Sequence, residues 1–437
     1  MKAFKSLLLI LSILLFSQSY SQSYVGLVAD NYAGVHAVAF NPSSIVGSNY
    51  RADINLASLS SFGGSDYFGV RFSSLFNSGF DIDDDAERFL SENNNFFLNA
   101  DVLGPSFMFN IDKKNSIGVI TRARAFFNLN EFNGELFEAI EDDFESDSDV
   151  VFDSENLNGT IHGWAEIGIA YGRILMDKPN HVMKGGITLK YLLGAGALFA
   201  ESPGLNGTYI RATETLVTQG NVNYNFTPGF DEDFDTSNLT SGFGMDLGFT
   251  YQWHPNRESD SIPMYRDKYK LKVGVSVTDI GSIKYENAEF NSYDLNAVVD
   301  ASTFEDLEEF LDDNYQNTQS FKDVTIKLPT ALRVLIDYRI TNKFLVSANT
   351  TLSMVKRENE LANSVNNSLT LTPRFETKWF SFFTPVSIRQ FDDFAVGGGF
   401  RFGPLTVGSG SIFTNLISDR SRTADAFVAL KVPLYRK

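Results

Sequence analysis

Apolar and polar residues alternate with a period of two through most of this chain, and most cleanly between Ile161 and Leu193. The odd positions Ile161, Ala165, Ile167, Ile169 and Tyr171 are apolar, and the even ones are His162, Trp164, Glu166, Gly168, Ala170 and Gly172. The pattern then resumes, with Met183, Ile187, Leu189, Tyr191 and Leu193 alternating with Lys184, Gly186, Thr188 and Lys190. Successive side chains of a strand point to opposite faces, so each run is a strand with one apolar face. The Lys178-Pro-Asn180 break makes the pair an antiparallel hairpin. Each run is about 12 residues long, against roughly 5–6 for an average globular strand. Long strands that are oily on one face and charged or glycine-rich on the other suit a wall between lipid and water.

The unit recurs along the chain, giving about 16 strand-length runs, among them 102–111, 117–127, 243–253, 269–277, 332–340, 344–354, 369–379, 394–402 and 424–435. Threaded alternately up and down, the insertions at 77–99, 129–159, 228–239, 287–324, 356–363 and 413–423 fall on one rim. The tight breaks at 112–115, 175–181, 219–220, 341–342 and 403–404 fall on the other, and only 254–267 is long on that side. Long outer loops with short opposite turns mark outer-membrane barrels. Closure is required as well, because unpaired backbone groups cannot face lipid. The expected fold is therefore all-β, a transmembrane antiparallel barrel of about 14–16 strands. A soluble protein of two packed sheets is the alternative, disfavoured by strand length and by the one-rim placement. If all 16 runs span, 66–76 is the first strand and 51–60 belongs with a plug. The short, glycine-rich run 405–413 is a candidate to fold into the lumen. Helical spacing of Phe132, Leu136, Phe137 and Ile140 predicts a short helix in one insertion, and residues 304–311 predict another.

Composition narrows the classes. The 437 residues carry a formal charge of −18, which disfavours nucleic acid, since phosphate contacts need clustered Lys and Arg. With no Cys there are no disulfides, thiolate metal sites or lipoprotein anchor. Residues 1–21 read as a signal peptide. Lys2 and Lys5 precede an apolar run from Leu7 to Phe16 that is too short to span, and Ser19 and Ser21 are the small residues at −3 and −1 of a cut before Gln22.

Residues 30–47 are apolar and small-residue-rich without clean periodicity, which suits a segment buried against something larger. Gly34 followed by Ala37-Val-Ala-Phe-Asn41-Pro42-Ser43-Ser44 resembles the N-terminal hatch of FadL-type outer-membrane barrels and of their PorV-type, secretion-associated relatives. Ser43 stands where that pattern usually has Ala. The resemblance implies a hatch at 22–50 inside the lumen of a barrel at 51–437, with long acidic extracellular loops, in the outer membrane of a Gram-negative cell. It implies one of two functions. Either small hydrophobic or amphipathic molecules pass inward by hatch rearrangement, or the barrel is a non-transporting scaffold that binds envelope or secretion proteins. The expected partners are thus the lipid bilayer, a hydrophobic ligand or envelope proteins, and not nucleic acid.

Candidate functional residues lie on the polar face of the strands: Arg122, Arg124, Glu166, Lys184, Lys190, Lys270, Lys272, Arg333, Asp337, Arg339, Arg374, Glu376 and Arg401. They form either a salt-bridged, hydrated wall or a basic cavity that attracts anions. Clustered carboxylates at Asp81–Asp85 and Asp147–Asp149 suit calcium only weakly, lacking the Gly and terminal Glu of an EF-hand. The four His show no metal-ligand spacing, no G-x-S-x-G elbow occurs, and His162 with Glu166 reads as a polar wall pair. The expectation is no enzyme, no metal and no cofactor. Trp253, Tyr269, Trp379 and Tyr435 sit near strand ends and suit interfacial girdles.

Overall fold

The computed structural model describes residues 24–72, 74, 85–230, 239–255, 268–355, 361–389 and 393–436. The proposed signal peptide, the carboxylates Asp81, Asp83 and Asp84, the acidic run 231–235 and most of the 254–267 connection lie outside them.

Fourteen antiparallel strands close into one barrel. They are β1 (Tyr50–Ser65), β2 (Asn94–Leu103 with Ser106–Asn110), β3 (Asn115–Phe132), β4 (Leu157–Lys178), β5 (His181–Ser202), β6 (Asn221–Phe226 with Thr240–Trp253) and β7 (Leu271–Asp294). There follow β8 (Gln316–Lys327 with Ala331–Arg339), β9 (Phe344–Ser353), β10 (Ser368–Glu376), β11 (Phe380–Phe383 with Val386–Arg389), β12 (Asp393–Val396 with Gly398–Phe402), β13 (Leu405–Ser409) and β14 (Thr423–Tyr435). Closure runs from Tyr50 opposite Tyr435 to Gly64 opposite Thr423. Three of the broken strands break at Pro105, Pro329 and Pro385, where the missing N–H cannot donate to the ladder.

Parity fixes the two faces. Outward positions such as Leu98, Phe107, Ile167, Ile169, Leu189, Phe249, Leu371 and Phe400 stay exposed, while their neighbours are buried. An apolar belt around a closed wall is the surface that a bilayer solvates, and closure leaves no unpaired edge within it. No described helix is long and apolar enough to cross a membrane, so the strands do the spanning.

The hatch threads the lumen as a short 3-10 turn (Leu27–Ala29), helix α1 (Val35–Phe40) and a second 3-10 turn (Pro42–Ile45), nearly all of it buried. At the other end the long insertions fold together into a cap. Four short strands pair in the order Ala297–Asp300, Thr215–Gln219, Leu205–Ile210, Val150–Ser154. Helices α2 (Gly134–Glu141) and α3 (Leu307–Asn314) cover them around Phe144, Phe152, Tyr209, Phe304 and Phe310. Asn133 and Asp306 cap these helices by accepting first-turn N–H groups. A last short helix, α4 (Ile412–Ile417), precedes β14.

Several expectations are corrected. Residues 51–60 belong to the first barrel strand and not to a plug, and 405–409 span as β13, held by both neighbours. Two apolar runs between 200 and 220 pair within the cap instead, which removes the excess over 14, and the break at 219–220 lies at the cap rim. The 228–239 insertion leaves β6 partway along its length. Asn221–Phe226 and Thr240–Trp253 both pair with β5, in one direction, above and below the departure point. Lys270 is not inward: its ammonium lies 4.7 Å from the ring centre of outward Tyr338. Regular strand begins only at Leu271, and Tyr269 is the buried residue there. Tyr435 likewise packs inward on Tyr32 and Tyr50, whereas Trp253 and Trp379 are exposed as girdle residues would be.

Candidate functional site

A row of small residues crosses five neighbouring strands. Ser116 on β3 is in register with Gly172 on β4, Gly172 with Gly186 on β5, Gly186 with Gly248 on β6, and Gly248 with Ser276 on β7. The Asn-Pro-Ser turn of the hatch lies in this trench. A Cβ at Gly186 would overlap the backbone of Pro42 and Ser43, and one at Gly248 would overlap the Asn41 side chain. Polar bonds then fix the seat. Asn41 Nδ2 donates to the carbonyls of Phe249 (3.2 Å) and Val275 (3.4 Å), and its Oδ1 accepts from Ser43 N (3.0 Å). Ser43 Oγ lies 2.7 Å from Thr250 Oγ1, and Ser276 Oγ donates to Phe40 O at 2.8 Å. The glycines of the β4–β5 hairpin and the hatch motif are thus two halves of one joint. Ser43, the departure from the usual Ala, contributes a bond that Ala could not make.

Charged joints flank the trench. Asp30 pairs with Arg401 Nε at 3.1 Å, and Arg401 also donates to the Thr377 and Lys378 carbonyls. Burial pushes the Asp30 carboxyl up, but the Arg401 guanidinium overrides it and holds the acid below its ordinary range. Asp53 accepts from Val35 N, and Lys431 donates to the Tyr32 and Ala33 carbonyls, so β1 and β14 clamp the hatch from the seam of the barrel. A Cβ at Gly34, whose φ is +64°, would run into that Asp53 carboxylate, which explains glycine there. His36 bonds Ser58 Oγ at 2.9 Å. Burial, with help from Lys431, lowers its imidazole to about 3, so it is neutral at pH 7. Glu376 receives Asn31 through both its N–H and its amide, and in turn accepts from Arg374, which forks onto Asp337 at 2.8 and 2.9 Å. Tyr269 also donates to Asp337.

Nearer the cap a second cluster fills the lumen. Arg122 forks onto Asp101, Arg124 reaches Asp279 at 2.9 Å, and Lys190 meets Asp279 (2.7 Å), Asp246 (2.9 Å) and Glu166 (3.5 Å). Arg333 joins through Thr278 at 3.1 Å. Three cations therefore meet four carboxylates in a buried layer, with Arg333 beside them as a fourth cation held through a hydroxyl. The basic excess expected along the wall is cancelled here. Asp101, Asp246 and Asp279 supply the cancellation, and sequence reasoning missed their role. Only Asp246 carried a signal, on the polar side of the β6 alternation, while Asp279 sits at a strand irregularity with φ 59° that breaks parity.

Of the other candidates, Lys184 and Arg339 face the hatch from the short-turn rim, with Arg339 Nε donating to Tyr269 O at 3.0 Å. His162 bonds Tyr285 at 3.0 Å and packs tilted against Trp164, while Glu166 serves the charge layer, so the two form no dyad. Asp147 and Asp149 are engaged by Arg211. Among the described residues no group of three or more His, Asp or Glu is placed to hold a metal.

Fold and joint together define a transmembrane β-barrel closed by an N-terminal hatch. The chain belongs to the family of unknown function DUF5723, whose model matches residues 42–410. No curated protein matches the sequence. Similar solved structures include the toluene transporter TbuX of Ralstonia pickettii, at 9% identity over 92% of this chain and 95% of that one, with TM-score 0.43. The CymD monoaromatic hydrocarbon channel is similar at 13% identity over 92% of each chain, TM-score 0.43. A Pseudomonas aeruginosa FadL homologue is similar at 9% over 95% and 99%, TM-score 0.43.

Proposed function

We propose that this barrel sits in the outer membrane with its lumen closed and works through its cap, as a docking subunit for an envelope protein. The observation that carries this reading is the stacking of four layers in the lumen, which can be followed along β4. Gly172 seats the hatch, Glu166 joins the charge layer, Trp164 and His162 enter an aromatic layer with Phe126 and Tyr285, and Thr160 O accepts from Asn363 of an infolded segment. A wall packed in this way is a core more than a pore. Outside, Val151, Thr208, Val217 and Val298 align across the four cap strands, and the two end valines are 66% and 68% exposed. A row that is apolar but for Thr208, and whose ends no described residue covers, is the expected mark of an interaction surface. Cleavage of residues 1–21 and a periplasmic position for the short-turn rim belong to the same reading.

A second reading, passage of a small hydrophobic or amphipathic molecule, is favoured by a cavity of about 240 Å³ at the cap end. Outward Phe96, Phe127 and Leu129 floor it, and Phe68, Phe132 and Phe137 enclose it. Inward movement would have to open the charge layer and unseat the hatch. A photo-crosslinking residue at Val298, with lipid-facing Leu175 as control, tests the first reading in intact cells. A discrete protein adduct at 298 alone supports it. Absence of any adduct, together with chain-dependent uptake of a labelled aromatic hydrocarbon, would replace it with the second.

A further inference from the structure

At the short-turn rim the hatch and the wall enclose a cavity of about 360 Å³. Six cations line it: Lys184, Lys268, Lys272, Arg339, Lys343 and Lys378. Only two acids do, and both are already engaged, Asp30 by Arg401 and Glu376 by Arg374. This contrasts with the charge layer above, where cations and carboxylates match. It also contrasts with the chain as a whole, whose charge is −18.

Lys184 marks the centre of the imbalance. Its residue is 4% exposed, yet its ammonium has no hydrogen bond or ion pair among the described residues. Its side chain is nearly buried but its amine opens into the cup, and with no counter-charge beside it the amine leaves a place for an anionic partner supplied from solution. The position is specific: Lys184 is in register with Thr250, which holds Ser43 of the hatch. From the hatch, Ser43, Ser44, Ser48 and Asn49 share the same lining. The Ser43 and Ser48 hydroxyls already donate to Asn41 Oδ1 and Tyr50 O, and Asn49 donates to Asn31 O, so the lysines, with the Ser44 hydroxyl, are the donors left for an oxygen-rich anion. The site lies on the lumenal side of the wall, away from the lipid-facing belt, so a lipid headgroup is not the source.

We propose that this cup is an oxyanion site, in which a phosphate or carboxylate group in solution is held by Lys184 and bridges the barrel wall to the Ser43–Asn49 segment of the hatch. A bound anion would supply the missing counter-charge and fasten the hatch from below. The proposal is independent of the docking reading, because the measurement needs neither a partner nor transport.

The test uses the full-length barrel in detergent, titrated calorimetrically with inorganic phosphate and with succinate, against chloride at matched ionic strength. Saturable binding of phosphate or succinate is expected, weakened tenfold or more in Lys184→Gln and kept within threefold in Lys184→Arg. The anion should raise the thermal midpoint of the wild type and not that of Lys184→Gln. Should Lys184→Gln fail to fold, the mouth variant Lys343→Gln/Lys378→Gln replaces it, with at least threefold weaker binding expected. The proposal is overturned if neither anion saturates, if chloride does as well, or if the variant that folds binds like wild type.

Discussion

Arg401 Nε lies 3.1 Å from Asp30 Oδ2, and neither side chain retains any exposed surface. One belongs to β12 and the other to the hatch, 371 residues apart in sequence. The pair ties the first described turn of the chain to the last quarter of the barrel. Removing one partner leaves a buried charge uncompensated, which costs about 3–5 kcal/mol. Asp30→Asn should therefore loosen the hatch without opening the barrel. Hydrogen exchange in detergent should show faster exchange across residues 24–49 and unchanged protection in β4 and β5; equal loss in both would refute the joint.

Gly186→Val tests the trench by steric means. The added side chain would meet Pro42 and Ser43 backbone, which cannot yield as a flexible side-chain tip can. The expected outcome is a barrel that still forms and a hatch whose residues 40–46 become accessible to protease. Gly204→Val is the matched control, because a Cβ there meets nothing.

Lys190→Met addresses the charge layer. Lys190 meets three of the four carboxylates, so its loss should lower barrel stability by about 3–5 kcal/mol, read from urea unfolding. Lys190→Met combined with Asp246→Asn should recover part of that loss, because the two residues share one interaction. Strictly additive losses would count against a coupled layer.

His36 supplies a pH signature. Burial lowers its folded-state imidazole to about 3, against about 6.5 in an unfolded chain. Between those values the unfolded state binds the extra proton, so stability is full above pH 6.5 and is lost as pH falls through that window. The slope is at most about 1.4 kcal/mol per pH unit. The thermal midpoint should fall from pH 7 to pH 5, and His36→Gln should flatten that fall. An unchanged profile would place the sensitivity elsewhere.

Topology can be read with single cysteines, since the chain has none of its own. A membrane-impermeant maleimide should label Asp149→Cys on intact cells and should label Asn180→Cys only after the outer membrane is opened. Labelling of Asn180→Cys from outside would invert the barrel and place the basic cup at the cell surface.

Period-two alternation determined the barrel from sequence alone, because a strand with one oily face and one wet face has to be part of a closed wall in lipid. Parity also put Arg122, Arg124, Glu166, Lys190, Asp337, Arg374 and Arg401 on the inward side, and the Asn41-Pro42 motif marked a buried segment. Strand number and pairing were a different matter. The runs 205–210 and 215–219 alternate like barrel strands, and only tertiary packing assigns them to the cap. Parity failed where the strand was irregular: Lys270 and Tyr269 exchange faces ahead of Leu271, and Asp279 turns inward at positive φ. The trench was not legible at all, since Gly172, Gly186 and Gly248 become one feature only through register between strands, and of the salt-bridged wall the sequence showed the cations but not most of their partners. The chain writes out each strand's two faces residue by residue. Which charges cancel, and which stay open beneath the hatch, depends on neighbours that only the closed barrel brings together.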